Sequence, residues 1–180
     1  GDVIGYPALA STSAEQGRVA ALHSFGIPVK HHLDDLPYGI YTIPEMSWVG
    51  KPEAELDEQG VDYVVGRSPI WHTARGKILG DKAGGLKMIF CRETQKLLGV
   101  HIIGEGATEL LHIGQSVYNF QGGLDYFCNT VFNYPTLAEC YKIAAFNALN
   151  KIKGTVNEAD SLNDGLLDQI KEMEDRKSVV

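Results

Sequence analysis

The stretch "GLKMIFCRETQKLLGVHIIG", residues 85–104, decides the fold. In its first half Leu86, Met88 and Phe90 alternate with polar or smaller residues, which is the pattern of a half-buried strand. The polar residues 93–96 then favour a turn, and a second apolar run returns. The stretch therefore predicts an antiparallel β-hairpin with a short connection.

Further strands and helices are predicted on both sides of this hairpin. Residues 40–50, "IYTIPEMSWVG", favour a strand at an edge or bulge, because Pro44 interrupts the run. Residues 61–71 favour another strand, and residues 127–132 a short one. Helical patterns lie at residues 7–24, 52–59, 107–120 and 137–152. This order indicates an α+β fold, in which an antiparallel sheet carries helices packed on one face.

Local signals indicate how some of these helices begin and what they face. Pro7 suits the first turn of the first helix. Thr108 is expected to cap the helix at 107–120. The acidic helix at 52–59 is expected to present a solvated face.

Composition excludes several classes of partner. The 180 residues carry a formal net charge of −7, and lysines and arginines are scattered, so nucleic acid is not an expected partner. No apolar run is long enough to span a membrane, and the first residues do not resemble a signal peptide. Three cysteines without CxxC spacing fit a reducing compartment, which predicts a cytoplasmic protein.

The cysteines and histidines do not predict a metal site. Cys91 and Cys128 lie in apolar runs and are expected to be buried structural thiols. The six histidines show no ligand spacing, so they are interpreted as structural or exposed and no metal is expected.

The second informative stretch is "FNYPTLAECYKIAAFNALNKI", residues 132–152. On spacing alone, Thr136 and Glu139 form a capping box for a well-patterned helix. The alternative is that the entrance of this helix also carries an active-site group. The residues by themselves favour the structural interpretation.

Four stretches, in order along the chain, resemble one enzyme family. "NYPTLAE" (133–139) is similar to the His-Pro-Thr-x-x-Glu segment near the C-terminus of the pyridine nucleotide–disulfide oxidoreductases. "YTIPEMSWVG" (41–50) resembles the strand that opens the family's interface domain, and residues 90–112 resemble its hairpin and following helix. "GDVIGYPALASTSAEQGRVAA" (1–21) looks like the second flavin motif and its helix. The resemblance spans residues 1–152 and implies the C-terminal dimerisation domain of FAD- and NAD-linked reductases.

The resemblance implies hydride chemistry rather than thiol chemistry. Dithiol-using members carry a histidine before the proline, paired with the glutamate, whereas this chain has Tyr134 there and Glu139 as the glutamate. A phenol is a poor base at neutral pH. The segment 133–136 instead looks like the soluble transhydrogenases of the family, which move hydride between NADPH and NAD through bound FAD. Tyr134 and Glu139 are therefore the implied catalytic residues.

The same resemblance implies where FAD would be held. Asp2 would accept hydrogen bonds from the ribityl chain, as carboxylates do strongly. The helix that begins near Pro7 would aim its N–H groups at the flavin edge that becomes negative on reduction. Leu9 and Ala10 would be the contacting backbone positions. Outside the family context, the Gly1–Asp2 pair is an ordinary turn.

The resemblance also implies a division of the chain. Residues 1–33 would be the end of an FAD-binding domain, residues 34–154 the interface domain, and residues 155–180 a polar, flexible tail with a short amphipathic helix. The sequence contains no GxGxxG motif and no paired redox cysteines. We therefore expect the dinucleotide-binding regions upstream of Gly1 in a longer parent protein, and the chain alone to be inactive.

The implied partner is a second copy of the chain. In this family the C-terminal domain pairs with its twin, so Tyr134 and Glu139 would lie near the partner's flavin ring. The apolar helix at 137–152 also suits a subunit interface. Two alternatives stay open. The parent could be a dihydrolipoyl dehydrogenase-like reductase, or the chain could be a free-standing dimerisation module that binds no flavin.

Overall fold

A computed structural model describes residues 1–29 and 35–155 of the chain, which divides into two compact units. The smaller unit is Gly1–Leu36 and the larger unit is Pro37–Val180. The five strands found in the described ranges belong to the larger unit. The tail expected at 155–180 lies, apart from its first residue, outside the described residues.

The smaller unit is built around one helix, α1 (Ala10–Ser24). The expectation that Pro7 occupies its first turn is wrong, because the helix begins three residues later. Ala8 has a φ of 54° and Leu9 is extended, with φ −106° and ψ 133°. Neither conformation belongs to a right-handed helix, so the chain enters α1 only at Ala10.

The larger unit interleaves strands and helices along the chain. Its strands are β1 (Tyr38–Ile40), β2 (Met46–Gly50), β3 (Tyr63–Pro69), β4 (Gly85–Cys91) and β5 (Leu97–Ile103). The α-helices among its described residues are α2 (Glu53–Glu58), α3 (Ala74–Leu79), α4 (Ala107–Asn119), α5 (Leu124–Asn129) and α6 (Glu139–Ile152). The strands form one antiparallel sheet in the order β1-β2-β5-β4-β3, which confirms the predicted α+β fold.

The hairpin predicted at 85–104 is confirmed as β4 and β5 at the centre of the sheet. Leu86 lies opposite Ile102 and Met88 opposite Val100, and all four side chains are fully buried. Because side chains alternate along a strand, these residues share one face of the sheet. That face carries the main core.

The run at 40–50 forms two strands and their connection rather than one interrupted strand. Pro44 lies in the connection between β1 and β2, where its missing N–H breaks no ladder. The two strands pair with Tyr38 opposite Trp48. Their rings stack with centroids 5.0 Å apart, which stabilises the pairing of this three-residue edge strand.

Glu45, at the end of the same connection, caps helix α4 from a distant part of the sequence. Its Oε2 accepts hydrogen bonds from the backbone N and the Oγ1 of Thr108, at 3.2 and 2.8 Å. The expectation that Thr108 caps its own helix is wrong, since Gly106 is the N-cap residue and makes no side-chain cap. A carboxylate at a helix N-terminus is favourable, so this contact fixes α4 to the β1–β2 connection.

Two short helices depart from the prediction. Residues 127–132 do not form a strand; instead the buried Phe127 belongs to α5 and stacks on Tyr141 at 5.3 Å. Short apolar runs do not distinguish strand from helix by periodicity, which explains the error. Helix α3 was not predicted at all, although Thr73 caps it by accepting from Gly76 N at 2.9 Å.

Helices α4 and α6 pack on one face of the sheet and enclose the main hydrophobic core. Its fully buried members include Val49, Leu86, Met88, Phe90, Val100, Ile102, Leu124, Phe127, Cys140 and Tyr141. The apolar side of α6, expected to form a subunit interface, is therefore used within the chain. At about 25 cal/mol per Å² of apolar surface, burial in this core is the main stabilising term of the unit.

The contact between α6 and β3 is close enough to require glycine on the strand. A Cβ on Gly66 would lie 2.1 Å from the carbonyl oxygen of Ala144 and 3.0 Å from the Cβ of Ala148. Since these are backbone and short side-chain atoms, they cannot rotate away. The small residues on both sides therefore set the distance between helix and sheet.

Tyr141 joins α6 to α4. Its hydroxyl accepts from Gly114 N at 3.1 Å and donates to Leu110 O at 2.9 Å. In a regular α-helix the N–H of Gly114 donates to the carbonyl of Leu110, four residues earlier. The Tyr141 hydroxyl therefore contacts both partners of one backbone hydrogen bond of α4. Burial raises the pKa of this phenol. The two long helices are thereby fixed to each other as well as to the sheet.

The opposite face of the sheet holds a smaller cluster beneath α2. Leu56 packs there against Val65 and Ile89. Beside them, Glu53 Oε1 accepts from Lys87 Nζ at 2.9 Å and from Arg67 Nη2 at 3.2 Å. Lys87 and Arg67 are both buried, so the expectation that the acidic helix only faces solvent is wrong for Glu53.

The free edge of β3 is covered by side chains of α6. Lys151 Nζ donates to Val65 O at 2.9 Å, and Asn147 Oδ1 accepts from Arg67 N at 3.1 Å. Both backbone groups point away from β4, toward the side of β3 on which a further strand would pair. Side chains from the helix thus satisfy edge groups that would otherwise be available to another chain.

We predict that Gly66→Ala destabilises the larger unit by at least about 2 kcal/mol, because the new methyl forces α6 away from β3. Urea unfolding followed by tryptophan fluorescence measures this, since Trp48 and Trp71 both lie in the larger unit. Gly17→Ala makes the same chemical change where no atom lies within 4 Å of the new Cβ. An unfolding midpoint for Gly66→Ala equal to that of the Gly17→Ala control would contradict the packing argument.

We also predict that Glu53→Gln lowers the free energy of unfolding by about 1–3 kcal/mol, because it removes a carboxylate shared by two buried cations. The side chain of Glu53 is 27% exposed, which keeps the effect below that of a fully buried pair. Glu55→Gln is the matched control on the same helix. Its pairing with Lys51 is solvent-exposed, so its loss is expected to change stability by no more than about 0.5 kcal/mol. Equal effects of the two substitutions in urea unfolding would refute the prediction.

Candidate functional site

The segment that leads into α6 forms one wall of a small cavity of about 220 Å³. The cavity brings together the two residues singled out from the sequence, Tyr134 and Glu139. Its complete lining consists of Val131, Phe132, Tyr134, Glu139, Lys142 and Ile143. The lining combines apolar surface with one carboxylate, one ammonium and one phenol.

The capping box expected from Thr136 and Glu139 does not form. Helix α6 begins at Glu139 after Ala138, and it has no side-chain cap. Thr136 Oγ1 instead donates to Asn133 O at 2.6 Å. A tight turn at Leu137 and Ala138 precedes the helix, so the threonine lies too early in the chain to cap it. The Glu139 carboxylate consequently does not accept a hydrogen bond from the backbone N–H of Thr136.

Glu139 presents an unsatisfied oxygen within the part of the chain that the structure describes. Its Oε2 is buried and has no hydrogen-bond partner there. Lys142, one turn further along α6, donates to Thr130 O at 2.9 Å rather than to this carboxylate. A buried carboxylate oxygen without a donor is costly, so the geometry favours a donor supplied from outside these residues.

Tyr134 and its neighbour Val131 are exposed to an unusual degree. The tyrosine is 77% exposed and the valine 90%. Together with the partly buried Phe132 they form an apolar rim around the mouth of the cavity. Clustered exposed apolar side chains at a cavity are typical of surfaces that bind a partner. Val131, Phe132 and Lys142 were not singled out from the sequence, since only their position beside the Tyr134–Pro135 segment gives them a role.

The other predicted site residues, Asp2, Leu9 and Ala10, lie in the smaller unit. The carboxylate of Asp2 accepts a hydrogen bond from the Ser13 hydroxyl. Leu9 is the N-cap residue of α1 and provides no side-chain cap. The first helical bond runs from Ser13 N to Leu9 O at 2.7 Å, so the amides of residues 10–12 precede the helical ladder. Such amides favour a negatively charged group in front of them.

The three cysteines have different environments. Cys140 is buried, whereas Cys91 and Cys128 are only half-buried, which corrects the expectation for the latter two. Burial raises the pKa of the Cys140 thiol to about 11 and also raises the pKa of the Cys128 thiol. Hydrogen bonds from the side chain and backbone of Thr94 lower the pKa of the Cys91 thiol. Cys91 therefore has the largest thiolate fraction at neutral pH.

Within residues 1–29 and 35–155, no three His, Cys, Asp or Glu side chains are grouped so that they could hold a metal ion. The described helices are also all too short or too polar to cross a bilayer. The buried His101 contacts Lys51 O through Nε2 at 3.3 Å, which is a structural role.

Residues 36–145 match the family described as "Pyridine nucleotide-disulphide oxidoreductase, dimerisation domain". The match covers more than half of the chain, so the chain belongs to this family. The resemblance recognised in the sequence motifs is thereby confirmed. The family segment contains both Tyr134 and Glu139 and all five strands of the sheet.

Two curated relatives within this family share one name. Proteins named "Soluble pyridine nucleotide transhydrogenase" from Enterobacter sp. (strain 638) and Citrobacter koseri are each 51% identical to this chain over 156 residues. The match covers 84% of this chain and 34% of each relative. The chain thus spans about a third of the length of the curated relatives it matches.

Solved structures agree on the fold. LpdA from Mycobacterium tuberculosis superposes with a TM-score of 0.73 at 27% identity, covering 79% of this chain and 31% of that chain. The HOCl-induced flavoprotein disulfide reductase RclA from Escherichia coli gives a TM-score of 0.74 at 25% identity, covering 81% and 34%. In each case the similar region is a part of a larger protein.

We predict that a thiol-specific reagent near neutral pH labels Cys91 first, Cys128 next and Cys140 last. Raising the pH through the ordinary range of thiol ionisation should speed labelling of Cys128 and Cys140 more than that of Cys91, because their thiolate fractions still have further to rise. Mass spectrometry of timed digests gives the order, and Cys91→Ser supplies the control by removing the fast phase. A fast phase that survives in Cys91→Ser would show that the assignment is wrong.

Proposed function

We propose that this chain is the dimerisation portion of an FAD-dependent oxidoreductase that transfers hydride between NADPH and NAD. The observation that carries the proposal is the 51% identity to proteins named soluble pyridine nucleotide transhydrogenase, in a chain whose family segment has a tyrosine where a thiol base would be needed. We assign residues 1–33 to the end of an FAD-binding domain and residues 34–154 to the interface domain. The nucleotide-binding regions, and therefore activity, would come from outside these 180 residues.

The residues of the smaller unit fit an FAD site. The backbone amides at the start of α1, around Leu9 and Ala10, offer donors to a negatively charged flavin edge, because the apolar side chain of Leu9 makes no cap hydrogen bond to them. Asp2 is exposed and retains acceptor capacity besides its bond from Ser13, since a carboxylate has several acceptor positions. Bound FAD would supply hydride acceptance from NADPH and hydride delivery to NAD.

The cavity at the N-terminus of α6 is suited to lie in an interface with a second copy of the chain. The exposed rim of Val131 and Tyr134 would lose water on association, and the buried Glu139 oxygen would gain a donor from the partner side. We propose that Tyr134 and Glu139 of one subunit shape the neighbour's flavin pocket, with Tyr134 excluding water and Glu139 orienting a donor. Neither residue is assigned proton transfer to a thiol.

The proposed compartment is the cytoplasm, and the proposed assembly is a homodimer. The name "soluble" of the relatives and the three cysteines without disulfide partners among the described residues support the first. The dimerisation-domain family supports the second. The competing activity is that of a dihydrolipoyl dehydrogenase-like reductase, because one structural relative, RclA, is named a flavoprotein disulfide reductase.

The full-length protein that contains this chain tests the proposal. Purified protein should carry a flavin spectrum and reduce a thio-NAD analogue at the expense of NADPH, with no turnover of dihydrolipoamide. Tyr134→His should not create dithiol turnover, since a single histidine does not supply a redox-active cysteine pair. Dithiol turnover without hydride exchange between nucleotides would overturn the assignment, and so would a colourless protein.

Substitution at the cavity rim tests the assembly separately. Tyr134→Ala should weaken the dimer about tenfold, since loss of the buried ring removes on the order of 1.4 kcal/mol of association free energy. Tyr134→Phe keeps the ring and should leave the dimer close to normal. Sedimentation equilibrium measures both. Equal dissociation constants for the Ala and Phe variants would exclude this rim from the interface.

A further inference from the structure

The entry segment of α6, residues 130–138, carries rim side chains that have little packing of their own. Val131 is 90% exposed and Tyr134 is 77% exposed. Side chains that expose most of their surface make few contacts, so packing alone does not fix where they lie. The position of the rim therefore depends on how the backbone of the entry segment is anchored.

The entry segment begins at the end of α5. Thr130 is the C-cap residue of that helix and has left helical geometry, with φ −73° and ψ 139°. Its N–H donates to Tyr126 O at 2.9 Å, whereas its carbonyl lies beyond the helical ladder. The last carbonyl groups of a helix have no partner within it and lie at the negative end of the helix dipole, so a cation stabilises them.

Lys142 supplies that cation from the first turn of α6. Its Nζ donates to Thr130 O at 2.9 Å, between residues that are twelve positions apart. The lysine is half-buried, which strengthens the bond relative to one in open solvent. The bond closes a loop that contains the whole entry segment.

Two further contacts hold the entry segment at later points. The ring of Phe132 stacks on Tyr141 with centroids 6.5 Å apart. The Thr136 hydroxyl donates to Asn133 O, which lies within the segment itself. The lysine bond thus anchors the start of the segment to the helix, upstream of both contacts.

We propose that Lys142 is the positioning residue for the Tyr134 rim. Thr130, which it fixes, lies one residue before Val131 and four before Tyr134. The lysine side chain also lines the cavity, so one group fixes the rim and forms the wall beside it. A role of this rim against a second subunit rests on the proposed function, whereas the anchoring by Lys142 does not.

NMR relaxation of the 180-residue chain tests the anchoring. Lys142→Met keeps an unbranched side chain but removes the donors, so backbone order parameters at residues 131–134 should fall from about 0.85 to below about 0.6. Lys142→Arg retains N–H donors and should keep the wild-type values. Lys153→Met makes the same chemical change at an exposed position beyond the other end of α6 and should leave residues 131–134 unchanged.

Unchanged order parameters at residues 131–134 in Lys142→Met would overturn the proposal, as would an equal loss of order in Lys142→Arg. Unfolding of Lys142→Met would also overturn it, because the lysine would then stabilise the whole domain rather than position one segment.

A double-substitution cycle in the full-length protein shows whether the lysine acts through the tyrosine. Lys142→Met should weaken the dimer about fivefold by itself but add nothing to Tyr134→Ala, because the ring that it positions is then absent. Sedimentation equilibrium gives the dissociation constants, and additive effects of the two substitutions would refute the positioning role. If residues 131–134 lose order as expected but neither substitution changes the dimer, the proposed assembly fails and the anchoring by Lys142 stands.

Discussion

The distance between α6 and β3 is the constraint on which the rest of the larger unit depends. Gly66 admits the backbone of Ala144 at a separation that no side chain would allow. From that contact the helix extends in both directions. One end places Glu139 in the wall of the small cavity, and the other places Lys151 over the edge of the sheet. The absence of a Cβ on Gly66 thus sets the position of both ends of the helix.

The two faces of the sheet are stabilised by different kinds of interaction. The face under α4 and α6 is an apolar core, with the hydroxyl of Tyr141 as an internal tie between the helices. The other face relies on a few apolar side chains and on Glu53, whose carboxylate serves Lys87 and Arg67 together. Removing one member of such a group costs more than the group contributes as a whole, because the remaining charges stay buried. Loss of the Glu53 carboxylate alone should therefore destabilise the second face noticeably.

The sequence predicts those features that arise from local periodicity. The β4–β5 hairpin and helix α4 follow from alternation and helical spacing, and both are confirmed. The capping of helices was predicted less well, because the cap of α4 comes from Glu45, which lies 63 residues from Thr108. The box at Thr136 failed for a related reason, since a turn delayed the start of α6. Long-range contacts and turn geometry leave no periodic trace in a sequence.

The site was predictable in part through resemblance. The motif around Pro135 located Tyr134 and Glu139, and the structure brings both into one cavity. It did not indicate Lys142 or the exposed Val131, since their place in the lining depends on the turn that precedes the helix. The roles of Asp2, Leu9 and Ala10 stay predictions, because they concern a flavin that these residues would share with other parts of a larger protein.

The covered edge of β3 limits how copies of this domain can associate. Lys151 and Asn147 occupy outward-facing backbone groups that a further strand would require, and the opposite edge, β1, offers only three residues. A sheet whose edges are covered or very short resists polymerisation by strand addition, which is the usual route to fibrillar self-assembly. Pairing of copies through the edges of this sheet is thereby disfavoured.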